Sequence, residues 1–347
     1  MRGMNTTIEL YIALAMLISG AASSFANEKD FREQVSAEAA RALAEENYAG
    51  LEAMSAEFLH SKARTPAGRW KLSLMYDGLV KNSNYASTDE LFWSDKERRF
   101  KRWLERYPQS VAARIALGKA LSGRAWQIRG RRFANETPQA NWEPFKKQLA
   151  VARAYMEQVK PTASVDPEWY RAMMYIALGQ GWDYNEVQAL IDEMMSREPE
   201  YQAFYYVVVE YLTPKWYGSN AMIDQFAAWL ADRTQAKQGQ AMYATIYWYV
   251  GDDHYGVRLF REMNIDWKRM RAGFDEIVAR YPDAWNINKY ARFACLAKDY
   301  ETAASLMKRI DQPLADVWGN GKVLKPCLEK IDRLPRPQRR QDESRPT

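Results

Sequence analysis

Apolar residues recur three and four positions apart along most of this chain, the spacing that gathers them on one face of an α-helix. The first such run covers residues 31–43, with Phe31, Val35, Ala39, Ala42 and Leu43 on the apolar side. A second carries Leu51, Met54, Phe58 and Leu59 and is joined to the first at Asn47-Tyr48. Further helices are expected over 70–80, from Glu90 to Tyr107, from Ser110 past Gly123, and over 138–160, 169–178 and 185–197. The same pattern continues over 222–231, 240–250, 267–281, 285–297, 300–310 and 323–334. Start signals support these runs. Thr65-Pro66, Thr137-Pro138 and Asp166-Pro167 each place a capping side chain before a proline at the first helical position. Thr88, Ser110 and Asp266 are further expected caps.

Residues 198–219 open like a helix and then depart from the pattern. This stretch is aromatic and β-branched, holding seven Tyr, Phe or Trp residues, and stops at Pro214. Trp216-Tyr217-Gly218-Ser219 then reads as a turn, with Gly218 at positive φ and Ser219 as the cap of the next helix. The long helix after Ser110 contains Gly118, Gly123 and Gly130. Each glycine costs a helix interior about 1 kcal/mol relative to alanine. Close approach of a neighbouring helix, or a break at Gly123 or Gly130, accounts for them.

One punctuation mark recurs. Arg106-Tyr-Pro108, Arg197-Glu-Pro199 and Arg280-Tyr-Pro282 each close one helix just before another opens. Asn47-Tyr48-x-x-Leu51 is echoed by Asp299-Tyr300-x-x-Ala303. Helix–turn–helix units of this kind mark helical repeats, and residues 287–310 resemble one tetratricopeptide unit, with Ala291 and Ala303 where two helices touch. The Trp-x-x-Leu-Gly run of that repeat is missing and the spacing is irregular. The expected fold is therefore an all-α solenoid of divergent tetratricopeptide-like helix pairs spanning residues 27–332.

Composition sharpens this picture at both ends. Residues 1–26 read as a signal peptide: Arg2, an apolar core at 10–18, and the small residues Ser24 and Ala26 before the cleavage point. Export to the periplasm or beyond is expected, with no transmembrane span left after the signal is removed. In an oxidising compartment Cys295 and Cys327 become disulfide candidates. The net charge of +5 is concentrated in the tail 333–347, where five Arg face only Asp342 and Glu343. That tail is expected to be disordered. The body is near neutral, which argues against a nucleic-acid groove.

Several of these residues fall into motifs. Lys71-Leu72 with Asp77-Gly78, Trp103 with Pro108-x-Ser110, Ala125-Trp126-x-x-Arg129-Gly130, and Pro199-x-Tyr201 with Leu212-x-Pro214-x-Trp216-x-Gly218-Ser219 are the carriers. Together they resemble the bacterial domain-of-unknown-function family 4034 over roughly residues 31–248. The resemblance implies a tetratricopeptide-type fold and carries no established reaction.

Two segments could hold a ligand. In the first, Trp126 and Arg129 share a helix face, near Arg131 and Arg132. A guanidinium there can stack on an aromatic ring or grip a carboxylate, or it can act as an inter-helix clamp paired with an acid. The second is the turn of Trp216, Tyr217 and Ser219, next to a helix N-terminus. His60 and His254 are the only histidines and have no neighbours suited to a metal site. Asp252-Asp253-His254 is a polar turn. Gly179-Gln180-Gly181 and Gly319-Asn320-Gly321 follow helices and read as C-cap turns. No catalytic constellation, metal site or cofactor motif is expected. The leading expectation is an interaction module for a protein or peptide partner in the bacterial envelope. The alternative is a small anionic-ligand receptor, or an enzyme, using residues 126–132 and 216–219.

Overall fold

Helices make up almost every element, and among the described residues there is no β-strand, only an isolated bridge between Arg64 and Trp70 that closes a turn. The computed structural model describes residues 27–80, 90–130, 132–319 and 321–335. The signal segment, the expected cap at Thr88, Arg131, Asn320 and the tail beyond 335 lie outside them.

In chain order the helices are α1 (Glu28–Ala44), α2 (Tyr48–His60), α3 (Lys71–Val80), α4 (Glu90–Arg106), α5 (Val111–Arg129) and α6 (Gln139–Ala163). Next come α7 (Pro167–Gln180), α8 (Tyr184–Arg197), α9 (Gln202–Tyr211), α10 (Asn220–Gln238) and α11 (Ala241–Val250). The last are the short α12 (Leu259–Glu262), α13 (Trp267–Arg280), α14 (Ala284–Leu296), α15 (Tyr300–Met307), the short α16 (Ala315–Trp318) and α17 (Leu324–Ile331). Three helices end at the arginines of the recurring punctuation, Arg106, Arg197 and Arg280.

The echo between Asn47 and Asp299 is geometric as well as sequential. The residue before each has positive φ, 54° at Glu46 and 63° at Lys298. The backbone N–H of Asn47 reaches Ala42 O at 2.8 Å, and that of Asp299 reaches Ala294 O at 2.9 Å. This is the six-to-one bond of a Schellman turn. Each side chain then caps the following helix.

The elements pack as an α-solenoid in two layers. Helices α3, α5, α7, α9 and α11 touch in succession and form the inner layer, while α4, α6, α8, α10 and α13 cover it. Inner helices are buried nearly all round. In α7, residues 167–174 and 176–178 are all buried, the mark of a helix covered on every side. Gly78 lets α3 lie against α1, since a Cβ there would sit 2.1 Å from the Ser36 carbonyl oxygen. At Gly123 a Cβ would meet the Trp93 ring at 2.4 Å. Close approach therefore explains that glycine, whereas Gly130 marks a true break, ending α5 at φ 81°.

Several local expectations are corrected. Thr65-Pro66 does not open a helix. The Thr65 hydroxyl donates to Glu28 Oε1 at 2.7 Å, and α3 begins only at Lys71. Thr137 does not cap α6: its hydroxyl donates back to Phe133 O, and the helix runs past Pro161 to Ala163. Helix α10 extends to Gln238 instead of stopping near Ala231. Gly218 is absent from the positive-φ residues; a Cβ there would lie 2.2 Å from Leu212 O, so contact demands the glycine and not backbone twist.

The two ends of the solenoid meet. Lys29 Nζ lies 3.3 Å from Asp316 Oδ1, Asn286 Nδ2 donates to Ala67 O at 3.2 Å, and the Arg32 guanidinium sits 5.4 Å from the centre of the Trp285 ring. The superhelix thus curls into a closed ring. Its last turn is stapled by a disulfide between Cys295 of α14 and Cys327 of α17, with Cα atoms 5.6 Å apart.

Two outcomes are expected in urea unfolding. Gly78→Ala will push α1 from α3 and cost about 1–3 kcal/mol, the usual range for overpacking. Reducing the disulfide will cost roughly 3–4 kcal/mol, from the entropy returned to the unfolded loop, and will lower the urea midpoint.

Candidate functional site

Helix α5 and the turn after α9 bring Trp126 and Trp216 into edge-on contact, with ring centroids 5.6 Å apart. Behind them lies Arg129, 5% exposed. Its guanidinium is 5.2 Å from the Trp216 ring centre, 5.5 Å from Trp142 and 5.8 Å from Trp126. Nη1 donates to the carbonyls of Gly130 (3.1 Å) and Arg132 (3.2 Å). Among the described residues no acid pairs with it, which corrects the expected carboxylate clamp. Three tryptophan faces and two carbonyls hold the cation instead. Burial lowers the Arg129 pKa, partly opposed by Tyr217.

The remaining candidates sit elsewhere. The Arg132 side chain is exposed and contributes only its carbonyl to Arg129. Tyr217 is 47% exposed and packs on Tyr211 at 5.1 Å. Ser219 accepts the Met222 N–H at 3.2 Å and caps α10. Gly181, in the left-handed region, caps α7 as expected.

Trp126 and Trp216 form one wall of a groove of about 480 Å³ that also includes Asp77, Lys119, Arg171, Tyr175, Glu210, Lys215 and Tyr249. An ion network underlies its floor. Glu168 of α7 is fully buried, and its Oε1 accepts from Lys119 Nζ at 2.6 Å and Arg171 Nη1 at 2.7 Å. Its Oε2 accepts from the Tyr201 hydroxyl at 2.9 Å. Arg171 Nη1 also donates to Asp77 Oδ1 at 2.9 Å, and Lys119 Nζ lies 3.7 Å from the same oxygen. Asp77 is where the network reaches the groove, with its side chain 38% exposed. Desolvation raises its pKa, but Arg171 and Lys119 outweigh that and hold it below the ordinary value.

The opposite wall carries a second cluster. The Tyr249 hydroxyl donates to Glu210 Oε1 at 2.6 Å, and His254 Nε2 lies 2.9 Å from the same oxygen. Burial raises the Glu210 pKa, yet the contacts with His254 and Tyr249 bring it below its usual value. Both groove carboxylates are therefore held ionised. Cleaving a glycosidic bond needs one carboxyl kept protonated as the general acid, and neither Asp77 nor Glu210 has that environment.

The tryptophan wall was visible in the sequence; the ion network and the Glu210 cluster were not. The sequence placed His254 only in a polar turn and assigned Glu168 no role in a site. A usable signal existed: Lys119 is a lone charge on an otherwise apolar helix face, Glu168 and Arg171 stand three apart in a largely apolar helix, and such residues are rarely buried without a partner. Among the described residues no cluster of His, Cys, Asp and Glu could hold a metal ion, and no helix is long and apolar enough to cross a membrane. No protein-family model, curated protein or solved structure matches the chain.

Beside the network, Asp166 caps α7 through the Glu168 N–H (2.8 Å) and accepts the Tyr76 hydroxyl at 2.7 Å. Burial, the dominant effect, pushes its carboxyl up to about 7 against those two hydrogen bonds. An acid whose folded pKa is raised costs nothing below its unfolded pKa of about 3.9 and destabilises progressively as the pH climbs to the folded value. Asp166→Asn keeps a capping oxygen without the charge. Its stability relative to the parent should rise by on the order of 3 kcal/mol between pH 4 and pH 8. A pH-independent difference in urea titrations would show that Asp166 titrates normally.

Proposed function

We propose that the protein is an exported helical-repeat interaction module that binds a peptide segment of a partner protein in the bacterial envelope. One observation carries this reading: the groove joins an aromatic wall of Trp126 and Trp216 to two carboxylates, Asp77 paired with Lys119 and Arg171, and Glu210 in contact with Tyr249 and His254. Such a surface takes an apolar or aromatic side chain on the tryptophans and a polar backbone along the tyrosines and acids. Aromatic residues of this kind are the usual anchors of protein interfaces. Closure of the ring narrows the concave face, which favours a chain segment over a folded domain. The disulfide and the signal-like residues 1–26 support an oxidising compartment. The resemblance to the domain-of-unknown-function family is neutral on the partner.

The anionic-ligand alternative at residues 126–132 and 216–219 has less support. Arg129, its natural cation, is buried behind the tryptophans and engaged by carbonyls.

A random peptide library displayed on phage and selected on the purified protein tests the proposal. Enriched peptides should carry an aromatic or large apolar residue. Trp216→Ala and Trp126→Ala should each weaken a selected peptide at least about tenfold, or 1.4 kcal/mol. The reading fails if no peptide is enriched or if both variants, folded by circular dichroism, bind as tightly as the parent.

A further inference from the structure

A second cavity lies at the seam where the ends of the ring meet. It encloses about 170 Å³ between the turn 64–69, helix α9 and the C-terminal helices. Its lining is rich in arginine, and the internal partners of those arginines can be traced one by one. Arg32 is taken by Glu28 at 2.6 Å. Arg64 lies 3.6 Å from Glu200 and stacks 3.9 Å from the Trp70 ring centre. Asp252 is more than matched, by Lys289 at 2.6 Å and Arg292 at 3.2 Å.

Two guanidiniums are left. Arg69 lies over the Tyr206 ring at 4.9 Å and, among the described residues, makes no ion pair and has its Nε buried without a hydrogen-bond partner. Arg280 makes one bond, to the Lys237 carbonyl at 3.1 Å. A third donor, the indole N–H of Trp285, is also buried and unpaired on the same lining. The remaining acid on the lining is Asp253, whose pKa is raised by burial and by Asp252. Positive charge and unsatisfied donors therefore converge on one cavity. Buried donors left without acceptors are costly, and paired guanidiniums match the flat or tetrahedral face of an oxyanion.

We propose that this cavity binds a small oxyanion, either a free anion or the acidic group of a larger ligand, between Arg69 and Arg280. At roughly 30 Å³ for a water in the liquid, the space suits a phosphate- or carboxylate-sized group. The anion would bridge the N-terminal turn to the C-terminal helices. Its binding would add to the contacts of Lys29 with Asp316 and of Asn286 with Ala67. The site shares only Tyr249 with the tryptophan groove, contains neither Trp126 nor Trp216, and does not depend on the peptide reading.

Thermal unfolding and calorimetric titration of the full mature chain test this. Inorganic phosphate and acetate are the probes, with sodium chloride at matched ionic strength as control. At least one of the two should raise Tm saturably where chloride does not, as a ligand specific to the folded state must. Saturation by phosphate alone would assign a tetrahedral group, and by acetate alone a carboxylate. Arg69→Gln and Arg280→Gln should each weaken that binding at least about tenfold, while Trp216→Ala leaves it unchanged. Arg280 is exposed, so its variant is informative even if Arg69→Gln fails to fold. The proposal is overturned if neither anion gives a saturable shift, or if Arg280→Gln binds as the parent does.

Discussion

One carboxylate joins the inner layer. Glu168 has no exposed surface, and its three donors come from three places: Lys119 of α5, Arg171 of its own helix α7, and Tyr201 at the start of α9. Through Arg171 and Lys119 it is coupled to Asp77 of α3. Four successive inner helices thus converge on a single charge. A buried ion pair is weak evidence for net stability, because desolvation offsets much of the attraction. Its effect is on arrangement. Apolar faces tolerate sliding by a turn, whereas an unpaired buried charge does not, so the network fixes how α3, α5, α7 and α9 stand to one another. The groove inherits that order, since Asp77, Lys119 and Arg171 belong both to the network and to the lining.

Two arginine clusters show how local density misleads. The run around Arg129, with Arg124, Arg131 and Arg132 and no acid before Glu136, was read from the sequence as a candidate cation for a ligand. In the fold, Arg129 is enclosed by Trp126, Trp142 and Trp216 and bonded to carbonyls of its own loop. Arg69 and Arg280 looked unremarkable, being more than two hundred residues apart. Closure of the ring brings them to one cavity. Whether an arginine is available depends on which acids the fold sets beside it, and linear sequence does not hold that information.

What was legible was the local chemistry. Helix ends at Arg106, Arg197 and Arg280, the caps Ser110, Asp166, Ser219 and Asp266, and the Asn47 and Asp299 turns all follow from residues a few positions apart. The errors came where a distant partner outbid a local preference. Thr65 has the signature of a cap, yet Glu28, folded against it from the first helix, takes its hydroxyl. The meeting of Trp126 with Trp216 was anticipated only as a possibility. The His254–Glu210–Tyr249 cluster was not anticipated, because the turn holding His254 is placed by α9 and α11 together.

Curling end to end changes the character of a repeat array. An open solenoid behaves as a one-dimensional stack, in which each unit leans only on its neighbours and either terminus can fray or be trimmed without reaching the middle. Here the first helix leans on the last ones through Lys29 and Arg32, and the turn before α3 does so through Ala67. The molecule is therefore a hoop and not a spring. Tension along its length must first part that join, and native packing at the beginning of the chain is complete only after the final helices have emerged.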